Sequence, residues 1–378
     1  MQIKKIFIVI ITAIIYIQFS WAQSSTLDSI YMQGQGVYRS YIVHTPTGYT
    51  PNNTYPLVIN MHGFGANALE QEAYTGFDDV ADTANFVVVY PNSTSGAWVY
   101  AGSSVDVDFL TALIDTIRQD FSINSCLFFT GISNGAYMTY KMACSLSSQI
   151  TAIAPVSGNM STLLQNTCAF TNAIPVMHFH GTADSIVFYN GSAGFPPIET
   201  LVQWWATQNN CSITPTTTPV PNISISDSCT ADELYYGGGT NGTEVTLYRI
   251  NNGGHTWPGA LPIQVFGNTN QDINASVLIW NFFHKFCSTT TTSTRELSAK
   301  TNMVIYPNPA KDKLVVSINS NSVGSTIVIT DILGKTIKEL KTNEPDIEIN
   351  VTDLQSGVYF IKLTQNDNCN TQKLVIDK

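Results

Sequence analysis

Ser133, Asp184 and His255 stand in this order along the chain, each in a segment suited to one role in nucleophilic displacement at an acyl carbon. Ser133 is the centre of Gly131-Ile132-Ser133-Asn134-Gly135, directly after the apolar run Leu127-Phe128-Phe129-Thr130 and directly before a helix-compatible stretch, Ala136 to Leu146. A bare G-x-S-x-G is an ordinary glycine loop. Between a strand and a helix it is a sharp turn that pushes the serine Oγ into a cleft and aims the helix N–H groups at the same point. A serine hydroxyl is a weak nucleophile near neutral pH and needs a base, and imidazole titrates where such a base is useful. His255 lies in Asn251-Asn252-Gly253-Gly254-His255-Thr256-Trp257, after the strand-like Val245 to Ile250. The base needs a carboxylate to fix its tautomer and stabilise the imidazolium. Asp184 ends Gly181-Thr182-Ala183-Asp184, after the buried-strand pattern Ile174 to His180.

Other residues compete for these roles. Asp184 could simply cap a turn, and Asp227, Asp232 and Glu233 are rival acids, but they lie in a polar, cysteine-bounded loop with no strand before it. His178 faces away from Phe179 on its strand and reads as a satisfied core histidine. His44 and His284 lie outside any loop that follows a strand in the second half of the sheet. A tetrahedral adduct also needs N–H donors. One belongs to the residue after the nucleophile, Asn134. The other comes from the loop after the third strand, where Met61-His62-Gly63-Phe64-Gly65 follows the apolar Pro56 to Asn60 and Phe64 is the expected donor. A plain glycine turn is the alternative reading of that loop. Trp98, in a Gly/Ser/Ala-rich loop, and Trp257, two residues after His255, are candidates to line an acyl or aromatic pocket, whereas Trp204 and Trp205 read as a packed helix face. This constellation calls for no metal and no cofactor.

Strands and helices alternate between these loops. Phe86 to Tyr90 is continuously apolar, as a doubly covered parallel strand should be, and Val107, Leu110, Ile114 and Ile117 recur at helical spacing up to Asp120. Thr151 to Val156 is the strand after the nucleophile helix, and Gly36 to Val43 reads as an antiparallel entry. The pattern predicts an α/β fold, a mostly parallel sheet with helices on both faces. Ser185 to Thr243 interrupts it with a long excursion that holds Pro196-Pro197 at the start of an amphipathic helix.

The chain has 378 residues, 44% of them hydrophobic, which leaves room for about two domains on a length prior. Lys4-Lys5, the apolar Ile6 to Phe19 and Ser20-Trp21-Ala22 read as a signal peptide over 1–22, with an apolar stretch shorter than the roughly 20 residues that span a bilayer. Residues 23–294 hold five Lys or Arg against seventeen Asp or Glu, whereas 295–378 hold ten of each sign. The acidic part repels polyanions and speaks against nucleic acid as a partner. The run Ser288 to Thr294 has nothing to bury and is a linker, placed at 288–302 between a body at 23–287 and a last domain at 303–378. Seven cysteines in an exported chain favour disulfides. Six lie between Cys126 and Cys287, and among their fifteen pairings the expected order is Cys211–Cys229, which brackets a Thr/Pro/Ser-rich loop, then Cys144–Cys168, then Cys126–Cys287 as the remainder.

Two resemblances follow. Residues 31–287 resemble the secreted α/β-hydrolase esterases that include polyhydroxybutyrate depolymerases, feruloyl esterases and acetyl-xylan-type esterases. They do so through His62-Gly-Phe-Gly65, Asp106-Val-Asp-Phe-Leu110, Thr130-Gly-Ile-Ser-Asn-Gly-Ala136, Ala154-Pro-Val-Ser-Gly158, His180-Gly-Thr-Ala-Asp184 and Gly254-His-Thr-Trp-Pro258. That resemblance implies the α/β-hydrolase fold and the same triad. It also implies an ester substrate, small or polymeric: cell-wall feruloyl or acetyl esters first, a polyester such as polyhydroxybutyrate as the alternative. A peptidase and a catalytically silent adhesin are remoter readings. Ala136 departs from the pattern, since many members carry a second glycine there. Residues 303–378 are similar to the C-terminal sorting domain of the type IX secretion system. The carriers are Tyr306-Pro-Asn-Pro309, Asp331-Ile-Leu-Gly-Lys335, Leu354 to Leu363 and Lys373 to Ile376, and the short alternating strands predict a small β-sandwich. The resemblance implies export to the cell surface or medium with the type IX machinery as partner. The rival reading is a substrate-binding module, but the only aromatics there are Tyr306, Tyr359 and Phe360.

Overall fold

The computed structural model of the protein describes residues 24–102, 104–287, 303–318, 324–331, 335–365 and 368–376. The segments read as a signal peptide and, at 288–302, as a linker lie outside them. The chain divides into two compact units, Met1–Thr289 and Thr290–Lys378.

The first unit is built in the order β1 (Ser24–Met32), β2 (Val37–Thr45), β3 (Tyr55–Met61), α1 (Ala68–Thr75), α2 (Phe77–Ala84), β4 (Val87–Pro91), α3 (Val105–Asp120), β5 (Ile123–Ile132), α4 (Asn134–Ser145), β6 (Ala152–Val156), α5 (Thr162–Thr167), β7 (Val176–Gly181), α6 (Ile198–Gln208), β8 (Thr216–Pro219), β9 (Thr230–Tyr236), β10 (Val245–Asn251) and α7 (Ala275–Phe286). Ten strands form one sheet in the order β1-β2-β4-β3-β5-β6-β7-β10-β9-β8. The six from β4 to β10 are parallel, and antiparallel strands finish both edges.

The parallel strands read as unbroken apolar runs because successive side chains enter two different cores. On β3, Leu57, Ile59 and Met61 join one cluster and Val58 the other; on β5, Leu127 and Phe129 join the first and Phe128 the second. Helices α3, α4 and α6 cover the first face, through Phe109, Met138 and Trp205 among others. Helices α1, α2 and α7 cover the second, through Ala68, Phe77 and Phe282. This doubly covered, mostly parallel sheet is an α/β-hydrolase fold. The strands β8 and β9 within the excursion carried no clear alternation in the sequence, since β8, Thr-Thr-Thr-Pro, is an exposed edge.

The cysteines correct one expectation. Cys211 and Cys229 are free and buried, and the disulfides are Cys144–Cys168 and Cys126–Cys287. Cys211 lies in the first core and Cys229 in the second, so the sheet separates their sulfurs whatever the loop between them does. Cys126 instead shares the second face with α7, which ends one residue before Cys287 and places it 5.4 Å away between Cα atoms.

In the second unit, β11 (Met303–Tyr306), β12 (Lys313–Ile318) and β15 (Asp346–Asn350) form one antiparallel sheet. The other sheet runs β14 (Thr336–Thr342), β13 (Ser325–Thr330), β16 (Gly357–Gln365), β17 (Asn368–Ile376). Leu314, Val316, Ile327, Ile329, Ile361 and Leu374 share one core, so the sheets pack face to face. The edge strand β14 was not legible: Lys338, Glu339 and Lys341 mask its alternation, as charges on an edge strand do.

Candidate active site

Strand β5 ends at Ile132 and α4 begins at Asn134, so Ser133 alone makes the turn. Its φ of 56° and ψ of −120° fall in a sparsely populated region that costs on the order of 1–3 kcal/mol. Two features hold it there. The Ser133 N–H donates to Val156 O at 2.9 Å, and both neighbouring glycines lie against β3. A Cβ on Gly131 would sit 2.6 Å from Met61 O, and one on Gly135 2.2 Å from it, so only glycine allows the Ser133 turn to approach the end of β3. Ala136 packs where Gly158 has no side chain: a Cβ on Gly158 would sit 2.3 Å from that of Ala136. The departure at 136 is therefore matched across the helix contact.

The loop after β3 passes beside the serine, with the position of a Gly63 Cβ 3.5 Å from Ser133 Cβ. Neither the Phe64 N–H nor the Asn134 N–H donates a hydrogen bond among the described residues. Two residues that the sequence reading did not place in this role hold the loop. The His62 ring accepts the Ser93 N–H at Nε2 (3.1 Å), so Nδ1 carries the proton and donates to Gly63 O (2.7 Å). Burial lowers the pKa of His62, which favours this neutral form. Trp98 donates its indole N–H to His62 O at 2.9 Å and exchanges backbone hydrogen bonds with the Asn134 side chain.

Trp98 is thus a buried brace between the two N–H-bearing segments, a correction to its expected place in an acyl pocket. Trp257 is corrected likewise. It is 1% exposed, donates to Ser276 Oγ at 3.0 Å and packs edge-on against Phe77 in the second core. An indole two residues beyond His255 turns inward because the chain there enters the body. The packed-face reading of Trp205 agrees with its full burial against Tyr140.

Asp184 and His255 are brought together by the loops after β7 and β10. A Cβ on Gly181 would lie 2.2 Å from Gly253 O, and Ala183 N–H donates to that same oxygen at 2.9 Å. The His255 Nδ1–H then donates to Asp184 Oδ2 at 2.7 Å, with the carboxylate side chain fully buried. Asp184 Oδ1 accepts the N–H groups of Ile186 (2.9 Å) and Val187 (2.8 Å). His255 Nε2 makes no hydrogen bond among the described residues. Ser157 Oγ donates to Thr256 O at 3.1 Å, one residue along from the Val156 carbonyl that holds Ser133, so the histidine loop is tied to the strand end beside Ser133. The rival acids are occupied elsewhere: Asp232 pairs with Arg249, and Asp227 accepts from Cys229 and Gln271 N–H.

Each loop that follows one of these strands also presents apolar side chains outward: Phe64 is 77% exposed, Ile186 50%, Phe188 53% and Phe266 37%.

Residues 304–377 match the family model described as "Secretion system C-terminal sorting domain". Over 171 residues the chain is 30% identical to a bifunctional acetylxylan esterase/xylanase of Neocallimastix patriciarum, covering 44% of this chain and 24% of that protein. Over 238 residues it is 26% identical to feruloyl esterase B of Piromyces equi, covering 57% and 42%. An acetyl xylan esterase structure from Aspergillus awamori aligns with a TM-score of 0.49 at 14% identity, over 64% of this chain and 96% of that one. The chain is similar to feruloyl and acetylxylan esterases, and its residues 304–377 to a secretion system sorting domain. It spans a quarter to under half the length of these two curated relatives.

Proposed function

We propose that the protein is an exported serine carboxylic-ester hydrolase acting on plant cell-wall esters, feruloyl or acetyl groups on xylan. The observation that carries this reading is the buried 2.7 Å hydrogen bond from His255 to Asp184, on a loop tied to the strand end that holds a strained Ser133. In this mechanism Ser133 Oγ attacks the ester carbonyl carbon while His255 Nε2 takes its proton. The N–H groups of Phe64 and Asn134 hold the tetrahedral oxyanion, and Asp184 stabilises the imidazolium through Nδ1–H. The adduct collapses with cleavage of the ester C–O bond, and His255 returns the proton to the departing alcohol. Water, deprotonated by the same base, then releases the acid and restores Ser133. The similarity to feruloyl and acetylxylan esterases supports the substrate class. The sorting-domain match supports export with the type IX machinery as partner, the segment before residue 23 acting as signal peptide and 288–302 as linker.

A second reading, a polyester depolymerase, is favoured by the exposed Phe64, Ile186 and Phe188, which suit an insoluble apolar polymer. The two readings separate when purified protein is offered methyl ferulate, acetylated xylan and a polyhydroxybutyrate film in parallel. Release of ferulate or acetate without erosion of the film is expected. Film erosion alone would reverse the order, and a folded protein inactive on all three and on short nitrophenyl esters would sink the esterase reading.

A further inference from the structure

Behind Asp184 the body buries a chain of polar groups that the mechanism above does not use. The Tyr140 hydroxyl on α4 lies 2.8 Å from His178 Nδ1, His178 Nε2 lies 3.0 Å from His180 Nδ1, and His180 Nε2 lies 2.8 Å from Val187 O and 3.5 Å from Asp184 Oδ2. All three side chains are buried. One atom sets the direction of the whole chain. A carbonyl oxygen only accepts, so His180 Nε2 carries a hydrogen. Burial pulls the pKa of His180 down to about 4, so the ring is neutral and its Nδ1 accepts from His178 Nε2–H. His178, also held well below its usual value by burial, then accepts at Nδ1 from the Tyr140 O–H.

We propose that His180 is a positioning residue for the acid of the triad, and that Tyr140 and His178 set the tautomer in which it acts. The proposal rests on the esterase reading of Ser133, Asp184 and His255. With the tautomers as derived, the His180 Nε2–H faces the carboxylate oxygen that holds His255 and pins Val187, whose own N–H holds the other carboxylate oxygen. With the opposite tautomer a lone pair would face both Val187 O and Asp184 Oδ2, three acceptors with no hydrogen among them. A neutral donor supports the carboxylate without the second positive charge that would compete with the imidazolium of His255.

The charged and titratable groups around His180 are consistent with a neutral ring. They are His178 on its own strand, Asp184 and Tyr189 on the loop that follows, His255 beyond β10, and Arg249 beside it in the sheet. Arg249 is committed to Glu199 and Asp232.

The test uses the full chain and 4-nitrophenyl acetate. H180L removes the donor, H180Q restores an N–H at similar reach, and Y140F removes the hydroxyl that orders the chain. H180L should lower kcat roughly tenfold to a hundredfold, the scale of leaving buried acceptors without their donor, with KM little changed. Y140F should lower it about threefold to tenfold, and H180Q should recover most of the H180L loss. The low-field proton resonance of the His255–Asp184 hydrogen bond, which needs no substrate, should shift or broaden in H180L and Y140F and return in H180Q. A folded H180L with kcat near wild type, or a loss confined to KM, overturns the proposal. So does a loss that H180Q fails to recover while the resonance stays unchanged. If H180L does not fold, Y140F decides: wild-type kcat and an unmoved resonance overturn it. Wild-type protein without ester turnover would instead sink the esterase reading, which keeps the two failures distinct.

Discussion

The two units of this chain have cores of different kinds. The first buries Arg39, His44, Asn60, His62, Asp106, His178, His180, Asp184 and His255 among its aliphatic and aromatic side chains. In the second, among the described residues, Ser325 is the one buried polar side chain, and the rest of the core is Ile, Leu, Val, Met and Ala. Burying a polar group costs free energy unless its partners are in place, so each such group fixes the position of its neighbours. The first interior therefore sets where chemical groups stand. The second needs only shape, which suits a module read from outside. The difference teaches where substitutions should alter chemistry and where they should alter folding or export alone.

The sharpest way to break the contrast is at the nucleophile. S133A should lower kcat on a soluble ester at least ~10³-fold with circular dichroism and thermal midpoint preserved, because the triad acts as a unit. An alanine variant near full activity would remove the chemical distinction between the units.

Next in size are the disulfides, which lie in the first unit. Opening Cys126–Cys287, with a sequence separation of 161, should cost about 5 kcal/mol, and opening Cys144–Cys168, with a separation of 24, about 3.5 kcal/mol. Paired C126A/C287A and C144A/C168A variants in urea denaturation check this order, and peptide mapping of unreduced protein that finds Cys211 joined to Cys229 would contradict it.

A smaller effect concerns pH. An unfolded histidine titrates near 6.5, whereas burial holds folded His180 to about 4. Between these values the unfolded chain binds a proton that the folded chain refuses. The contribution to stability is therefore complete above about 6.5 and is lost as pH falls toward 4. His178, also lowered by burial, acts in the same sense. Asp78 opposes them, since burial raises its carboxyl to about 6 and the folded chain keeps that proton where the unfolded one has lost it. The useful readout is thus a difference. From pH 7.5 to 4.5 wild type should lose on the order of 2–3 kcal/mol more than H180Q. Equal losses would show that His180 is not held neutral by the fold.

The smallest effect is expected at the tail. Deleting residues 290–378 should leave kcat/KM on a soluble ester within about twofold and activity on acetylated xylan unchanged, while a host with the type IX machinery should retain the protein in its periplasm. Normal export with a selective loss on insoluble substrate would favour a binding module.

The site is legible in sequence where it depends on local order. The strand–turn–helix around Ser133 and the loops after β7 and β10 carry their glycines and polar residues in view, because a turn is made by neighbouring residues. What depends on which face of the sheet a side chain reaches is much less legible. Cys211 and Cys229 bracket one loop yet lie in different cores, while Cys126, on the central strand β5, meets Cys287 across a sequence separation of 161. Trp98, in a Gly/Ser/Ala-rich loop, and Trp257, close to His255 in sequence, are both expected near a pocket, but both turn inward. His180 stood next to Gly181 in the segment that holds Asp184. The two-residue period that places His178 on the inner face places His180 there as well, and that is the signal that could have found it.

The central claim, that Ser133 is a nucleophile activated by His255 and Asp184, is tested most directly by mapping a serine-directed fluorophosphonate adduct by mass spectrometry, with ester turnover followed in the same sample. The account predicts one adduct per chain, on the peptide bearing Ser133, with turnover lost in step with labelling and no adduct in S133A. An adduct on another residue, or turnover that persists after Ser133 is fully labelled, would contradict it.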